Sequence, residues 1–307
     1  MGEVSIVLAT YNGASYLNEQ IDSIIANTYT NWTIDICDDG STDRTLEIAQ
    51  EYQKQYPDKI RIFKNLEQLG VTRNFLEGAK RATGDYIMFC DQDDVWLPEK
   101  IEKTLAFLKQ REQAVGENKP VAVFTDAKMA DGILRTFHES FFIYNALDIE
   151  KLDLAHLLME NKVIGCTTMF NRALVNKITD FPKFARYHDW WIALIAAVFG
   201  DLSCMNEPTM LYRQHGGNVV GSQSFVSYVV DRIKGIPKQK TALLKTEKQA
   251  WEFYEIYKDL ILEEQGQILR DFASIHNENW FERRDRLFRH GYWKSGLLRN
   301  IGVFLLI

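Results

Sequence analysis

Three aspartates lie within four positions where an apolar stretch of the chain ends. The segment YIMFCDQDDVW at 86–96 has Asp91, Asp93 and Asp94 directly after five strand-like residues. Carboxylates this close repel one another and raise each other's pKa, so the cluster is costly without a cation. In extended chain Asp91 and Asp93 point the same way, and Mg²⁺ or Mn²⁺ binds one or two such carboxylates together with substrate phosphates. The alternative is a solvated turn in which Asp94 caps the helix that begins near Pro98.

A second acidic pair follows another apolar stretch. The sequence CDDGSTDRT has Asp38 and Asp39 ahead of a glycine and a serine. An ionised carboxylate only accepts hydrogen bonds, so one of the two could bind the imide N–H of uracil or thymine. The alternative is an acidic loop before a helix, in which Ser41 or Thr42 provides the helix cap without Asp39.

A single aspartate lies between a histidine and two tryptophans. The sequence RYHDWW has Asp189 beside Trp190 and Trp191. Indole faces exclude water and stack on sugar rings, and a carboxylate held there could take a proton from an acceptor hydroxyl as a general base. The alternative is structural, because Asp is a favoured N-cap and an apolar helix follows Asp189.

A histidine lies in a glycine-rich stretch further along the chain. The sequence LYRQHGGNVVG contains His215, with Arg213 two residues before it. A single histidine is more often a surface or core residue than a ligand. The residues alone therefore do not assign a role to His215.

Alternating strand and helix patterns in the first 120 residues indicate where the acidic clusters lie. Apolar stretches predict strands at VSIVLAT, WTIDICDDG, IRIF and YIMFC. Helical spacing predicts helices across SYLNEQIDSIIAN, STDRTLEIAQEYQKQY and VTRNFLEGAKRAT, and from about Pro98 onward. This alternation predicts a parallel sheet with helices on both faces, in which ligands bind beyond the carboxyl ends of the strands. Because ATYN, DDGS and DQDD fall at such ends, we expect these three clusters to share one crevice.

The pattern becomes mixed after residue 120. Strands are predicted at VAVFTDAKM, VIGCTTMFN and DLSCMN, with a helix across DWWIALIAAVFG. From about Ser222 the composition changes again. There TEKQAWEFYEIYKDLILEEQGQILRDF predicts a single long amphipathic helix, whose apolar face comprises Ala250, Phe253, Tyr254, Tyr257, Leu260 and Ile261.

Composition excludes several classes of protein. The 307 residues are 46% hydrophobic and 25% charged, which is ordinary for a soluble globular protein, and the net charge of -6 gives no case for nucleic-acid binding. Four widely spaced cysteines without a CxxC pair predict free thiols in a reducing compartment, and Cys37 and Cys90 lie in strand-like segments. No cleavable signal precedes EVSIVLAT, and the longest apolar run, WWIALIAAVF, is shorter than the roughly 20 residues that a spanning helix needs. We therefore expect a cytoplasmic protein.

Taken in order, these motifs resemble the inverting family-two glycosyltransferases of the GT-A fold. The resemblance covers about residues 3–221 and rests on VLATYNGASYLNEQIDSI, CDDGSTDRT, GVTRNFLEGAKRATGDYIMFCDQDD, HDWW and YRQHGGN. More narrowly, the last two motifs are similar to bacterial rhamnosyltransferases that build cell-wall or surface polysaccharides. The resemblance implies an α/β, Rossmann-like and mostly parallel sheet flanked by helices. It implies a GT-A domain at 1–221, with a nucleotide-sugar half at 1–120 and an acceptor half at 121–221, followed by a C-terminal helical, locally basic region at 222–307.

The resemblance also implies roles for individual residues. The nucleotide-binding residues would be Thr10, Tyr11, Asn12, Asp39, Arg73 and Asp91. Asp39 would read the pyrimidine base, and Arg73 would lie near the base and the diphosphate. The metal ligands would be Asp91, Asp93 and His215, with Asp93 the direct ligand and Asp91 nearer the ribose. Asp189 would be the catalytic base, and the acceptor or sugar contacts would be His188, Trp190, Trp191 and Arg213. His188 is a departure, because many members have Glu before the catalytic Asp.

The implied reaction is one inverting displacement. A Mn²⁺ or Mg²⁺ ion would bridge the carboxylates to the donor diphosphate and neutralise charge on the leaving group, while Asp189 deprotonates the acceptor hydroxyl. The resemblance implies dTDP-L-rhamnose as the donor and a lipid-linked polysaccharide as the acceptor. A galactosyl- or glucosyltransferase that uses a UDP-sugar is the alternative within the family.

Two other classes fit the sequence less well. A sugar nucleotidyltransferase would need a glycine-rich loop with Arg and Lys after the first strand, whereas ATYNGASYLNEQI contains neither. A non-catalytic nucleotide-sugar binding protein would have no use for Asp189 and His215.

The last 28 residues combine basic and aromatic side chains. Residues 280–307 contain six Lys/Arg and two Asp/Glu, a local charge of +4, which leaves -10 for the rest of a chain whose total is -6. Trp280, Tyr292 and Trp293 alternate with these bases, and aromatic residues favour the headgroup layer of a membrane. The ending IGVFLLI is too short to span, so we expect peripheral contact with the anionic inner face of the cell membrane. The alternative is a helix that packs on the catalytic domain or on the second subunit of a homodimer.

Overall fold

A computed structural model of the chain describes residues 2–215 and 236–307, without the side chains of residues 236–239 and 306. The strands are β1 Val4–Thr10, β2 Trp32–Asp38, β3 Ile60–Lys64, β4 Tyr86–Cys90, β5 Val95–Trp96, β6 Val121–Ala130, β7 Thr136–His138, β8 Met169–Asn171 and β9 Asp201–Arg213. The α-helices that lie before the gap in this description are α1 Leu17–Ile25, α2 Thr45–Gln55, α3 Val71–Arg81, α4 Lys100–Val115, α5 Phe141–Tyr144, α6 Leu154–Met159, α7 Arg172–Val175 and α8 His188–Phe199. Those that follow it are α9 Ile236–Tyr257, α10 Glu263–Ala273, α11 Trp280–His290 and α12 Leu297–Leu306.

The strands form one mixed sheet with the order β3-β2-β1-β4-β8-β6-β9-β5, and β7 pairs with β6. The first four strands of this order are parallel to one another. Beyond β4 the strand directions are mixed. Strand β8 is antiparallel to both β4 and β6, whereas β6 and β9 are parallel. The predicted α/β fold is confirmed, and each antiparallel pairing involves β5, β7 or β8.

The carboxyl ends of three parallel strands meet at one edge of the sheet. β1 is buried along its whole length, as expected for a parallel strand covered by helices on both faces. In register, Thr10 lies beside Asp38 on β2, and Leu8 lies beside Cys90 on β4. The segments that follow these strands are the ATYN, DDGS and DQDD clusters, so the predicted convergence is confirmed.

Helix α8 is apolar on all sides because it is a core helix. Ten of its twelve residues are buried, and a helix that is hydrophobic all round must be covered on every face. Trp191 packs against Phe253 and Tyr257 of α9, with ring centroids 5.1 Å and 6.4 Å away. The C-terminal helices therefore complete the core around α8.

The prediction of a single long helix over 246–272 is wrong. The chain forms two helices, α9 and α10, joined by residues 258–262. Leu260, expected on the apolar face, is exposed in this connection. The backbone N–H of Leu262 donates to Gln265 Oε1 at 3.1 Å, which helps to start α10. Folding back lets both helices bury their apolar faces, and this packing outweighs the continuous helical pattern of the sequence.

Several local predictions also differ from the structure. Only Met169–Asn171 of the predicted strand VIGCTTMFN is a strand, and a 3₁₀ turn occupies Gly165–Thr167. Helix α2 begins at Thr45 and has no cap from Ser41, whose hydroxyl is bonded to Asp38 instead. Asp94 does not cap α4, since Oδ1 of Asp94 accepts the backbone N–H of Arg213 at 2.9 Å. Asp94 and Ser41 thus make other hydrogen bonds than the helix caps that the local sequence suggests, and the partner of Asp94 lies 119 positions away.

The C-terminal region is only partly as predicted. The proposed boundary between 221 and 222 lies outside the described residues, as does all of GGNVVG at 216–221. Helices α11 and α12 bury Leu287, Val303 and Ile307 against the rest of the chain. Tyr292, expected at a membrane surface, is buried, and its hydroxyl donates to the carbonyl of Ile268 at 2.5 Å. The tail therefore packs on the domain with one face, and Tyr292 belongs to that face.

The prediction of free cysteines is confirmed. All four cysteines are free thiols, and Cys37, Cys90 and Cys166 are buried. Among the described residues, no helix combines the length and the apolar character that crossing a bilayer requires.

Candidate active site

A cavity of about 610 Å³ lies beyond the carboxyl ends of β1, β2 and β4. Pockets that bind small molecules typically measure about 300–1,000 Å³. One side of the cavity is formed by the first half of the chain, with Thr10, Tyr11, Asp39, Asp91 and Asp93 in its wall. The other side is formed by segments between 141 and 212 together with Arg299. This is the crevice that the strand order predicts.

Two loops that follow β1 and β2 are bonded to each other. The hydroxyl of Thr10 donates to Asp38 Oδ2 at 3.1 Å, and Asp38 Oδ1 accepts the backbone N–H of Ser41 at 3.0 Å. Asn12 has a positive φ of 48°, a conformation that Asn tolerates better than most residues. Its side-chain oxygen accepts the backbone N–H of Thr42 at 2.8 Å. Asp38 and Asn12 thus fix the loops, and Asp39 remains in the cavity wall.

Gln92, the central residue of DQD, connects this motif to the end of β1. Gln92 Oε1 accepts the backbone N–H of Tyr11 at 2.9 Å, and Gln92 Nε2 donates to the Tyr11 carbonyl at 3.0 Å. A Cβ atom at Gly13 would lie 2.0 Å from Gln92 Oε1, so the neighbouring loop has room only for glycine there. The motif is therefore held against the first loop by its middle residue.

The acidic cluster brings together residues from three parts of the chain. Oxygen atoms of Asp91 and Asp94 and the sulfur of Cys166 lie within 4.8 Å of one another. Burial and the charges of Asp93 and Asp189 raise the pKa of Asp91 to about 7. Asp94 Oδ2 is buried without a hydrogen-bond partner among the described residues, and burial raises the pKa of Asp94 well above its usual range. Such a cluster of destabilised carboxylates fits a divalent cation.

His215 lies directly beside this cluster. His215 Nε2 is 2.7 Å from Asp93 Oδ2, although the two residues are 122 positions apart in the sequence. The imidazole also stacks on Tyr16, with ring centroids 4.6 Å apart. The structure therefore pairs His215 with Asp93, and Asp91 lies with Asp93 in the cavity wall; these are the three residues that the family resemblance implies as metal ligands. Their oxygen and imidazole donors suit Mn²⁺ or Mg²⁺ better than the buried thiol of Cys166 does.

Asp39 and Arg73 differ in their access to the cavity. Asp39 lines it, and its carboxylate accepts bonds from Asn65 Nδ2 at 2.8 Å and from the backbone N–H groups of Leu69 and Gly70 at 2.7 and 2.9 Å. Two carboxylate oxygens offer about four acceptor positions, so capacity remains for a ligand. Arg73 does not line the cavity. Its Nε donates to Glu77 at 2.7 Å on the outer side of α3.

Asp189 lies in the cavity as the second residue of α8. Tyr187 occupies the N-cap position, so the cap function considered for Asp189 is not what the structure shows. Asp189 Oδ1 accepts the backbone N–H of Trp190 at 2.6 Å and the amide of Asn161 at 3.1 Å. Burial raises the pKa of Asp189 to about 6, against these hydrogen bonds, which lower it. At neutral pH this carboxylate is ionised and is a stronger base than an exposed aspartate.

His188 is a neutral residue of the cavity wall. Its ring stacks on Phe75 with centroids 3.9 Å apart and meets the edge of Phe89 at 5.0 Å. Burial lowers the pKa of His188 to about 3, and neither ring nitrogen bonds to any described residue. A Cβ at Gly165 would approach His188 Nε2 to 2.6 Å, so the 3₁₀ turn that contains Gly165 fits closely against the imidazole.

Three expected acceptor contacts do not line the cavity. Trp190 is buried, and its Nε1–H donates to the Leu157 carbonyl at 2.6 Å. Trp191 is buried against α9. Arg213 is buried too, where its Nε donates to the Asp93 carbonyl at 2.7 Å and its guanidinium also bonds Glu19. These side chains are buried outside the cavity, because α8 and β9 direct them towards the core.

The acceptor side of the cavity contains residues that the sequence did not indicate. They include Phe141, Asn145, Leu147, Glu160, Asn161, Lys162, Tyr187, Tyr212 and Arg299. Only the nearness of Tyr187 and Tyr212 to the HDWW and YRQHGG motifs was a signal. Arg299 comes from α12, and its guanidinium bonds Glu160 Oε1 at 3.0 Å and the Asn145 carbonyl at 2.5 Å. The C-terminal region thus contributes a charged residue to the wall.

Comparison with known proteins relates the chain to one family. Residues 5–177, more than half of the chain, match the family described as Glycosyl transferase family 2. The dTDP-rhamnosyl transferase RfbG of Shigella flexneri is 30% identical over 233 residues, which are 70% of this chain and 74% of RfbG. EpsE of Bacillus subtilis (strain 168) is 39% identical over 116 residues, which are 37% of this chain and 42% of EpsE, so the match spans less than half of that relative.

A solved structure has the same fold. The mannosyltransferase PcManGT from Pyrobaculum calidifontis, in complex with GDP-Man and Mn²⁺, superposes with a TM-score of 0.56 at 16% identity. The similarity covers 99% of this chain and 79% of PcManGT.

Proposed function

Because the chain belongs to glycosyl transferase family 2, we propose that it transfers a sugar from a nucleoside-diphosphate sugar to an acceptor hydroxyl, with inversion at the anomeric carbon. The observation that carries this proposal is a buried carboxylate, Asp189, in the same cavity as Asp91 and Asp93, with His215 in contact with Asp93. An inverting transfer needs one base and no covalent intermediate, so one such carboxylate is sufficient. A retaining mechanism would need a second carboxylate as nucleophile.

The donor binds to the first half of the cavity in this proposal. Thr10, Tyr11 and Asp39 contact the nucleoside, and Asp91 lies near the ribose. Asn12, also expected at the nucleoside, does not line the cavity and instead holds the loop that contains Tyr11. Arg73 approaches the base or the diphosphate only if it leaves Glu77, since the two are ion-paired on the outer side of α3. Of these roles, that of Asp39 has the best geometric support, because its carboxylate is fixed by α3 and still faces the cavity.

Asp91, Asp93 and His215 would hold a divalent cation, Mn²⁺ or Mg²⁺. When bound, such an ion supplies positive charge next to the departing diphosphate. The raised pKa of Asp91 supports this assignment, since a carboxylate that is destabilised by its neighbours gains from a cation. The Mn²⁺ in PcManGT is consistent with it.

Asp189 acts as the general base in this proposal. The acceptor oxygen attacks the anomeric carbon as its proton passes to Asp189, and the bond from that carbon to the nucleoside diphosphate breaks. Asn161 and the Trp190 N–H hold the carboxylate through Oδ1, which leaves Oδ2 for the proton. His188 and Tyr187 form the wall around the acceptor. Neutral His188 adds no charge beside the base.

The proposed donor is dTDP-L-rhamnose, and the product would be an α-L-rhamnoside. The name of RfbG and its alignment over most of both chains support this choice. A galactosyl- or glucosyltransferase that uses a UDP-sugar is the second candidate. The motifs HDWW and YRQHGGN, which are similar to those of rhamnosyltransferases, favour dTDP-L-rhamnose.

We also propose that the protein acts at the inner face of the cell membrane on a lipid-linked acceptor. Exposed apolar side chains of α11 and α12 form an apolar patch, which consists of Trp280, Phe281, Phe288, Leu297, Leu298, Ile301 and Leu305. Phe304 joins the two helices through ring contacts of 6.3 Å to Trp280 and 6.4 Å to Phe288. The local charge of +4 around the patch suits an anionic leaflet.

A donor panel tests the function. Purified protein with Mn²⁺ is incubated with dTDP-L-rhamnose, UDP-glucose or UDP-galactose and a synthetic prenyl-diphosphate-linked sugar. Nucleoside diphosphate release is measured, and the anomeric configuration of the product is read by NMR. We expect release to be fastest from dTDP-L-rhamnose, with an inverted product. A retained configuration would refute the single-base mechanism, and preference for a UDP-sugar would refute the proposed donor.

A further inference from the structure

A second, smaller cavity lies beside the acceptor side of the active site. Its volume is about 90 Å³, and it is enclosed by the end of α6, by α9 and by α12. Four of its lining residues are basic: Arg186, Lys240, Lys294 and Arg299. None of the lining residues within the described part of the chain is acidic. Four cations around a small cavity repel one another unless an anion lies among them.

Two of these bases are held in place. Arg186 Nη1 donates to Thr246 Oγ1 at 2.9 Å, and its guanidinium lies 5.1 Å from the ring centre of Trp190. Arg299 bonds Glu160, as described above, and this carboxylate offsets one of the four charges. The cavity is therefore lined partly by guanidinium groups whose orientation is fixed before any ligand binds.

Apart from Thr246, the rest of the lining is apolar. Met159, Leu243, Val303 and Ile307 surround the bases. Helix α12 also has exposed side chains of the apolar patch, among them Leu298, Ile301 and Leu305, so it has aliphatic side chains both at the cavity and on the surface. A volume of about 90 Å³ holds a phosphate-sized group but no nucleotide. The lining therefore fits an anionic head group that is attached to a hydrocarbon chain.

The basic cavity adjoins the active site through a shared residue. Arg299 lines both cavities, and Arg186 lies three positions before Asp189. A phosphate bound in the basic cavity would thus lie next to the acceptor side, where the hydroxyl must meet Asp189.

We propose that the basic cavity binds the phosphate or diphosphate of a prenyl-linked acceptor, whose chain follows α12 towards the apolar patch. The inference rests on the proposed function and deepens it, because it names the group by which the acceptor is recognised. Inorganic diphosphate has the same phosphate groups without a hydrocarbon chain. A higher affinity for the prenyl-linked diphosphate therefore distinguishes it from inorganic diphosphate.

Binding is measured by calorimetry with farnesyl diphosphate and with inorganic diphosphate, in EDTA so that no metal assists the donor site. The test variant is Lys240→Gln with Lys294→Gln. The matched control is Lys245→Gln with Lys248→Gln, which removes two exposed lysines from α9 outside the basic cavity. We expect the test variant to bind farnesyl diphosphate at least tenfold more weakly, equivalent to about 1.4 kcal/mol. The control variant and the wild type should bind alike, and all three should show the same unfolding midpoint.

Three results would overturn the proposal. One is equal binding of farnesyl diphosphate by the test and control variants. Another is equal affinity of the wild type for inorganic and farnesyl diphosphate, because the chain would then contribute nothing. The third is displacement of bound farnesyl diphosphate by dTDP or UDP, which would indicate that the probe occupies the donor site. Because no transfer is measured, a protein with a different donor or with no activity would still give a clear answer.

Discussion

Replacing the proposed base should stabilise the protein while it abolishes transfer. Asp189→Asn keeps the shape of the side chain, and Oδ1 of the asparagine can still accept the bonds from Trp190 N–H and Asn161. The replacement removes the only atoms able to take the proton. General-base assistance contributes about two to four orders of magnitude in rate, so turnover should fall by at least about a hundredfold. Donor binding should change little, because the donor contacts lie in the other half of the cavity.

The gain in stability follows from the raised pKa. The pKa of Asp189 is about 6 in the folded protein, mainly because of burial, against the ordinary value of 3.8. The fold therefore favours the protonated form. As pH rises from about 4 to above 6, the carboxyl ionises more readily in the unfolded than in the folded protein, so the free energy of unfolding falls. Because each pKa unit of difference is worth about 1.4 kcal/mol, the loss reaches about 3 kcal/mol. Asparagine never bears this cost.

Urea unfolding at pH 8 and at pH 5 measures the difference. At pH 8 the free energy of unfolding of Asp189→Asn should exceed that of the wild type by up to about 3 kcal/mol, reduced by any unpaired amide hydrogens. At pH 5 roughly half of the gain should disappear. Asp58→Asn, at an exposed turn, removes the same charge and should change stability by less than about 0.5 kcal/mol. A variant that retains a third of wild-type turnover would refute the base assignment. A gain that does not change with pH would refute the raised pKa.

Two further predictions concern the metal and the membrane. Asp93→Ala and His215→Ala should each weaken metal-supported donor binding by more than the roughly tenfold that a lost hydrogen bond explains. Excess Mn²⁺ should partly restore donor binding. Full activity in excess chelator would refute a metal role. The triple change Phe281→Ser, Leu298→Ser and Leu305→Ser should abolish flotation with anionic liposomes, since each buried apolar side chain contributes about 1.5–3 kcal/mol. The same change at exposed residues outside the patch, Leu66, Ile133 and Leu262, is the control; equal flotation of both triple variants, or flotation that salt does not weaken, would contradict the membrane prediction.

The donor side of the cavity was predictable because it depends on strand order. Parallel strands that alternate with helices must end at the same edge, so Thr10, Asp38 and the DQD motif could be brought together from their positions alone. The pairing of His215 with Asp93 was not accessible in this way, since nothing in the local sequence relates residues 122 positions apart. That contact followed from the family resemblance and from the structure.

The acceptor side could not be predicted because it depends on packing between distant elements. The tryptophans of HDWW suggest an aromatic sugar platform, but Trp191 is covered by α9, whose position no local pattern specifies. Arg213 likewise follows the end of β9 into the core, where it bonds the Asp93 carbonyl. Arg299 reaches the cavity only because α12 folds back against α6 and the segment around Asn145.

The departure at residue 188 has an electrostatic consequence for the base. The ring of His188 is buried against Phe75 and stays neutral, since burial lowers its pKa to about 3. A glutamate at this position, as the resemblance implies for many members, would add a third acid next to Asp189 and Asp91. An additional carboxylate there would raise the pKa of Asp189 beyond about 6 and leave it partly protonated at neutral pH. A neutral imidazole avoids this repulsion, so Asp189 remains ionised and basic enough to accept a proton.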